Sequence, residues 1–443
     1  MKINQTNKSW HTLPRILKTA GCLAATGALL SAAPALAETT VFGQSDTIFR
    51  MGQSLDKKDL YPVYEYLRLS AVSSEKDGSA TSLHIGGWAR GDLGDKSARD
   101  RDTDADLQYG FISFQGAKNN FLFNAGRQFV VEGVGVQRLD GLYTRNDFAA
   151  GFGAAAYVGS PVVTEPNEPN LKADDFIFGG RVTHSINKYY TVGLSALRSF
   201  DEDGGVYREE EGLDVWVHPL KQLDITGRSA YNSATNGWME HAYAVSLIPL
   251  DSLRIGADYS YISYQDYFYR VTTSALSYLV GNIDRRENVK TFGGNVDYSP
   301  IKNLTLGADF KNYNYDIAKN ANYFGGKATY SLPDSFAAGF SVHRMDGNTD
   351  KLNFYEYRVY ASKKISNLNL TLDFIDLNYD SRINGEKNAY TVAGAASYKF
   401  NEKLKIRADV DYSKNPDFEN EVKGLLKLTY AFDTQRAAEG RSK

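Results

Sequence analysis

Apolar and polar residues alternate along most of this chain. Leu404, Ile406, Ala408, Val410 and Tyr412 take every second place in one stretch, with Lys405, Arg407, Asp409 and Asp411 between them. Leu368, Leu370, Leu372 and Phe374 alternate in the same way with Asn369, Thr371 and Asp373. The chain's last pattern runs Val422, Gly424, Leu426, Leu428, Tyr430 and Phe432. A side-chain period of two predicts strands with one apolar and one polar face. The same unit recurs upstream, where the turns around Pro219, Pro249 and Pro300 lead into Leu223, Leu253 and Leu304. Proline suits these turns because its φ is fixed and it donates no hydrogen bond.

Alternating segments fall near 62–71, 81–91, 106–116, 121–130, 136–143, 148–158, 174–184, 190–199, 211–217, 223–231 and 238–247. They continue near 253–264, 288–298, 304–315, 322–330, 336–345, 353–362, 368–378, 388–399, 404–412 and 420–432. A further strand within 39–50 would make their number even, so the pattern predicts about 20–22 strands.

The connections are of two kinds. Short turns, such as 117–120, 144–147, 185–188 and 363–367, alternate with charged, Asn/Asp/Gly-rich and usually longer stretches at 92–105, 159–175, 200–210, 265–287, 346–352, 379–387 and 413–419. Tyr298, Tyr330, Tyr398 and Tyr430 stand by the turns or the last strand's end, and Tyr259, Tyr261, Phe310, Tyr313, Tyr379 and Tyr412 stand near the opposite strand ends. Two aromatic rims are what two lipid–water interfaces select. Together these features predict an all-β fold: a transmembrane antiparallel up-and-down β-barrel over 61–432, with short periplasmic turns and longer outer loops. Residues 38–60 form an N-terminal segment holding the candidate first strand.

Residues 1–37 read as a cleaved signal peptide: Lys2, Lys8, Arg15 and Lys18, then the apolar run from Ala20 to Leu30, then Ala35-Leu36-Ala37. No long apolar run follows, and the mean hydropathy is −0.41, which excludes a bundle of transmembrane helices but not a barrel, whose strands are half polar. A secretion signal ahead of a barrel pattern points to the bacterial outer membrane. Residues 433–443 read as a short periplasmic tail; the alternative is a docking segment for a periplasmic partner. Phe432 is the terminal aromatic expected to guide barrel insertion.

Removing the four Lys/Arg of residues 1–37 takes the formal net charge from −3 to −7, against a nucleic-acid partner. Cys22 is the only cysteine and lies within that leader. Disulfides, Cys-ligated zinc and c-type haem attachment are therefore excluded in the mature chain.

The apolar face is expected to meet lipid, with Leu304, Leu306, Phe310, Leu370, Leu372, Phe374, Ile406, Val410 and Leu428 upon it. The polar face is expected to line the lumen, through Arg68, Arg90, Arg138, Arg181, Arg228, Arg254, Asp258, Asp309, Lys311, Glu356, Arg358, Asp373, Arg407, Asp409 and Lys427. Both signs alternate along single strands, which favours cross-strand charge ladders over an ion-selective ring.

No catalytic chemistry is expected. The five remaining histidines form no close pair, Ser195 lacks the second glycine of a nucleophile elbow, and Gly133-Val134-Gly135 and Gly151-Phe152-Gly153 lack dinucleotide-binding spacing. Asp409 and Asp411 read as lumen lining rather than an acid–base pair. Residues 38–60 are too few for a plug, and 265–287 is the longest loop and the expected constriction.

Tyr61 to Arg68, the run Gly86 to Asp95, and Gly126-Arg127-Gln128 with Arg138-Leu139-Asp140-Gly141 resemble the porin components of porin–cytochrome conduits, outer-membrane barrels that surround multihaem cytochromes. The resemblance implies a sheath for electron transfer, with periplasmic and outer-surface cytochromes as partners, haem carried by those partners and no cofactor on this chain. The alternative is a diffusion porin for small hydrophilic solutes. Outer-membrane lipid surrounds the barrel in either case.

Overall fold

The computed structural model describes residues 39–53, 58–94, 102–162, 175–186, 188–201, 203–268, 286–416 and 420–434. The leader and nearly all of the expected tail lie outside them. Every alternating segment becomes a strand, and Thr39–Gln53 supplies the first. With the two-residue piece Asp59–Leu60 counted as an extension that pairs only with the first strand, 22 strands form one antiparallel sheet.

The sheet closes on itself. Thr47 of the first strand pairs in register with Leu428 of the last strand, Glu421–Asp433. On its other side Thr47 pairs with Glu65 of the strand Pro62–Ser74. Closure gives every strand a hydrogen-bonded neighbour on both sides, as a lipid environment requires.

At the end where the first strand begins and the last finishes, ten connections hold two to five residues. Asn303, Asp334 and Ser366 adopt positive φ there, as tight hairpins demand. The turn expected at 144–147 lies later, at 148–151, where Ala150 and Gly151 both have positive φ. The opposite end carries all the connections longer than five residues, and also five short ones, at Gly133-Val134, 201–205, 233–236, Asp316 to Ala318 and Asn384-Gly385. The expected loop 379–387 is mostly strand: Leu368–Ile383 and Glu386–Lys399 run on to a two-residue turn.

The register sorts the faces. Leu306 lies beside Tyr298 and Ala328, and Phe310 beside Phe324. Leu304 lies beside Tyr330, and Leu370 beside Lys363 and Ala396. Leu372 lies beside Ala361, and Phe374 beside Val359 and Val392. Ile406 lies beside Leu428, and Val410 beside Gly424. Phe432 faces Gly43 across the seam, where a Cβ on Gly43 would stand 2.7 Å from its ring. This apolar face is the exterior, and its burial comes from lipid rather than from a second layer of protein.

Candidate functional site

The other face encloses the lumen, where most of the charges named above are paired. Asp46 receives Arg68 at 2.9 Å and Lys427 at 3.1 Å. Arg228 meets Glu240 at 2.8 Å, Lys311 meets Asp258 at 3.3 Å, and His343 meets Asp309 at 3.1 Å. Arg358 meets Asp373 and Arg407 meets Asp409, both at 2.6 Å. Tyr323 donates to Glu356 at 3.2 Å, and Arg254 stands in register with Asp297. Arg90 is in register with Tyr64 and Asp104. These pairs join groups one or two strands apart, or two places apart on one strand. The result is a wall in which charges of opposite sign sit beside one another.

Of 265–287, the described residues include the one-turn helix Tyr264–Tyr267 and residues 268, 286 and 287. The loop expected to constrict the pore therefore lies mainly outside them. A different element enters the lumen. The strands Phe121–Glu132 and Gly135–Asp147 stand in the wall at the short-turn end, then fold inward as a hairpin with Gly133-Val134 at its tip.

Glycines permit the fold. Gly126 and Gly141 face each other in register. Gly126 has φ +125°, and a Cβ there would stand 2.4 Å from the Gly110 carbonyl oxygen. A Cβ on Gly141 would stand 2.0 Å from the Val158 carbonyl oxygen. No other residue fits either position without moving the backbone.

The folded hairpin is anchored at several points. The Val134 N–H donates to Ser195 Oγ at 3.0 Å. Glu132, 4% exposed, accepts from the Tyr143 hydroxyl at 2.7 Å and lies 3.7 Å from Arg145 and 3.6 Å from Arg181. Arg181 also grips Asp214. Arg208 reaches back to Gln137 at 3.2 Å. Beneath the hairpin Val130, Leu139, Tyr157, Ile177 and Leu197 form a small dry core against the inner wall. The hairpin's other face carries Phe129, Val131 and Val136, all more than half exposed.

Arg138 lies inside the barrel by a different route from the one its alternation implies. Its strand position has the same parity as lipid-facing Leu142. Beyond Gly141 the strand has turned inward, so Arg138 is buried and bonds Asp106 of the inner wall. Alternation does not single out Gly126, Gly141, Glu132 or Val134. Their signal is the series Gly110, Gly126, Gly141 and Gly159, which follow one another across four neighbouring strands.

Ser195 accepts the hairpin's N–H instead of meeting a base, and among the described residues no group of three or more His, Cys, Asp and Glu could hold a metal ion.

No protein-family model matches the chain. No curated protein matches its sequence. Solved structures do resemble its fold. A ferric enterobactin receptor of Pseudomonas aeruginosa is similar at 10% identity and a TM-score of 0.55, over 90% of this chain and 81% of that one. The siderophore receptor PirA of Pseudomonas aeruginosa is similar at 14% identity and a TM-score of 0.53, over 88% and 80%. A closed 22-stranded barrel with an apolar exterior and a charged interior is a bacterial outer-membrane barrel with a channel-like fold.

Proposed function

We propose that this barrel is a sheath that holds multihaem c-type cytochromes supplied by other chains, carrying electrons across the outer membrane. The observation that carries this reading is the width of the barrel, which the described residues leave largely unfilled. Twenty-two strands enclose a lumen that outer-membrane proteins of this size fill with a plug. Among the described residues the 127–140 hairpin lies along its wall, and the one-turn helix Tyr264–Tyr267 packs at its loop end against the strands Leu223–Asn232 and Gly237–Leu250. The wall's charges are mostly paired with one another, which suits a lining that carries no current of its own. The sequence holds no C-x-x-C-H, and its one cysteine lies in the leader, so covalent c-type haem has no attachment point in the mature chain. On this proposal the haem is carried by the partner chains.

Purification from the native membrane in mild detergent tests this. A haem-absorbing protein is expected to co-elute with the barrel. Colourless, stable, partner-free barrel would overturn the proposal. The inward hairpin favours a second reading, a diffusion porin narrowed by 127–140, which predicts stepwise conductance in planar bilayers from the chain alone.

A further inference from the structure

At the loop end of the seam two charges of opposite sign, Arg50 and Asp411, stand without an ion-pair partner among the described residues. A cavity of about 460 Å³ opens there, lined by Arg50, Tyr64, Arg90, Asp409, Asp411 and Lys423 among others. Arg50 lies over the Tyr64 ring, 5.3 Å from its centroid, and no carboxylate among the described residues pairs with it. Asp411 likewise has no ion-pair partner among the described residues, because Lys423, opposite it in register, reaches to Glu421 at 2.7 Å. Asp409 is already held by Arg407. Leu425 forms the apolar floor between them, in register with Arg50 on one side and Asp409 on the other. Two strand spacings, roughly 10 Å, separate the backbones that carry Arg50 and Asp411, a gap that two side chains and a small molecule can bridge.

We propose that this seam cavity binds zwitterionic solutes of the amino-acid or short-peptide class. The solute carboxylate pairs with Arg50, its ammonium pairs with Asp411, and its apolar part rests on Tyr64 and Leu425. A simple anion or cation satisfies only one of the two charges, whereas a zwitterion satisfies both. The site belongs to the wall and does not depend on what occupies the barrel's centre.

The test uses the full chain, extracted in detergent with any partner it holds, and calorimetric titration with alanyl-alanine. Saturable binding is expected, weakened about tenfold by Arg50→Gln and by Asp411→Asn. N-acetyl-alanyl-alanine, which lacks the ammonium, should bind the parent protein about tenfold more weakly and be indifferent to Asp411→Asn. Alanyl-alanine amide should show the matching indifference to Arg50→Gln. Arg254→Gln, far from the seam, should change nothing. No binding to the parent protein overturns the proposal, as does equal affinity for the three ligands or an equal loss in Arg254→Gln. The ligand comparison on parent protein decides the matter even if a variant fails to fold. Haem absorbance of the same preparation reads the sheath proposal separately.

Discussion

Asp46 and Thr429 stand 383 positions apart in the chain, yet the threonine hydroxyl donates to the aspartate carboxylate across 2.6 Å. The same carboxylate takes Arg68 from the second strand and Lys427 from the last. Asp46 is 2% exposed, so one acidic group ties together the three strands that close the barrel. Asp46→Asn removes the charge and leaves two cations facing a neutral amide. Arg68 remains partly in lumen water, which softens the loss, so the expected cost is about 1–3 kcal/mol. The urea midpoint for unfolding from lipid vesicles should fall accordingly. An unchanged midpoint would mean that the backbone ladder alone closes the seam.

The inward hairpin depends on glycine at its bend. Gly126→Val adds a β-branched side chain at φ +125° with its Cβ 2.4 Å from a carbonyl oxygen. Such strain costs about 1–3 kcal/mol, and straightening the hairpin relieves it. The expected result is a larger single-channel conductance in planar bilayers. Gly394→Ala, where nothing stands within 4 Å of the added carbon, should conduct as the parent does. Parent-like conductance in Gly126→Val would show that the hairpin does not narrow the pore.

Contact between hairpin tip and wall can be trapped directly. Val134 Cγ1 and Ser195 Oγ lie 2.5 Å and 3.0 Å from the point that a Cβ on Gly212 would occupy, so the two side chains are neighbours, and the only native cysteine, Cys22, lies in the leader. Val134→Cys combined with Ser195→Cys should therefore form an intramolecular disulfide under mild oxidation, seen as a mobility shift reversed by reductant. Conductance should be the same before and after bridging, since the bond fixes the position already occupied. Failure to bridge would place the tip elsewhere.

Alternation makes the strands legible because a barrel wall has only two environments, lipid and lumen, and the side-chain period of two reports them one by one. The period alone assigns Leu404, Ile406, Ala408, Val410 and Tyr412 to one face. The hairpin is not legible for the same reason. Phe129, Val131 and Val136 continue the apolar pattern of a membrane strand, yet beyond Gly126 and Gly141 that face points into the barrel. Alternation decides which residues share a face; a bend decides what that face meets. Charge pairing is legible only as a tendency. Glu356 and Arg358 alternate as expected, but Arg358 pairs across to Asp373 and Glu356 accepts from Tyr323, choices set by register. Asp46 escapes a local reading because closure of the sheet brings its partners together.

Glu65 breaks the pattern on the exterior. It shares a face with Leu67 and Leu69 and lies in register with Thr47 on one side and Ala89 on the other. Its two carboxylate oxygens accept from Ser45 Oγ at 2.5 Å and Thr47 Oγ1 at 2.6 Å. Two hydroxyls ease the desolvation of a carboxylate but do not cancel its charge. Charge on the lipid face of a barrel is costly towards the bilayer's middle and less so near its rims. Glu65→Gln keeps an acceptor for the hydroxyls and removes the charge, so the variant should be more stable than the parent, by about 1 kcal/mol if the position sits between rim and midplane. The urea midpoint from vesicles should rise, and the gain should be larger in thicker bilayers, which draw the position deeper. A lower midpoint for Glu65→Gln would show that the carboxylate is stabilising where it stands, and would mark this outward notch as a contact for a polar neighbour rather than for lipid.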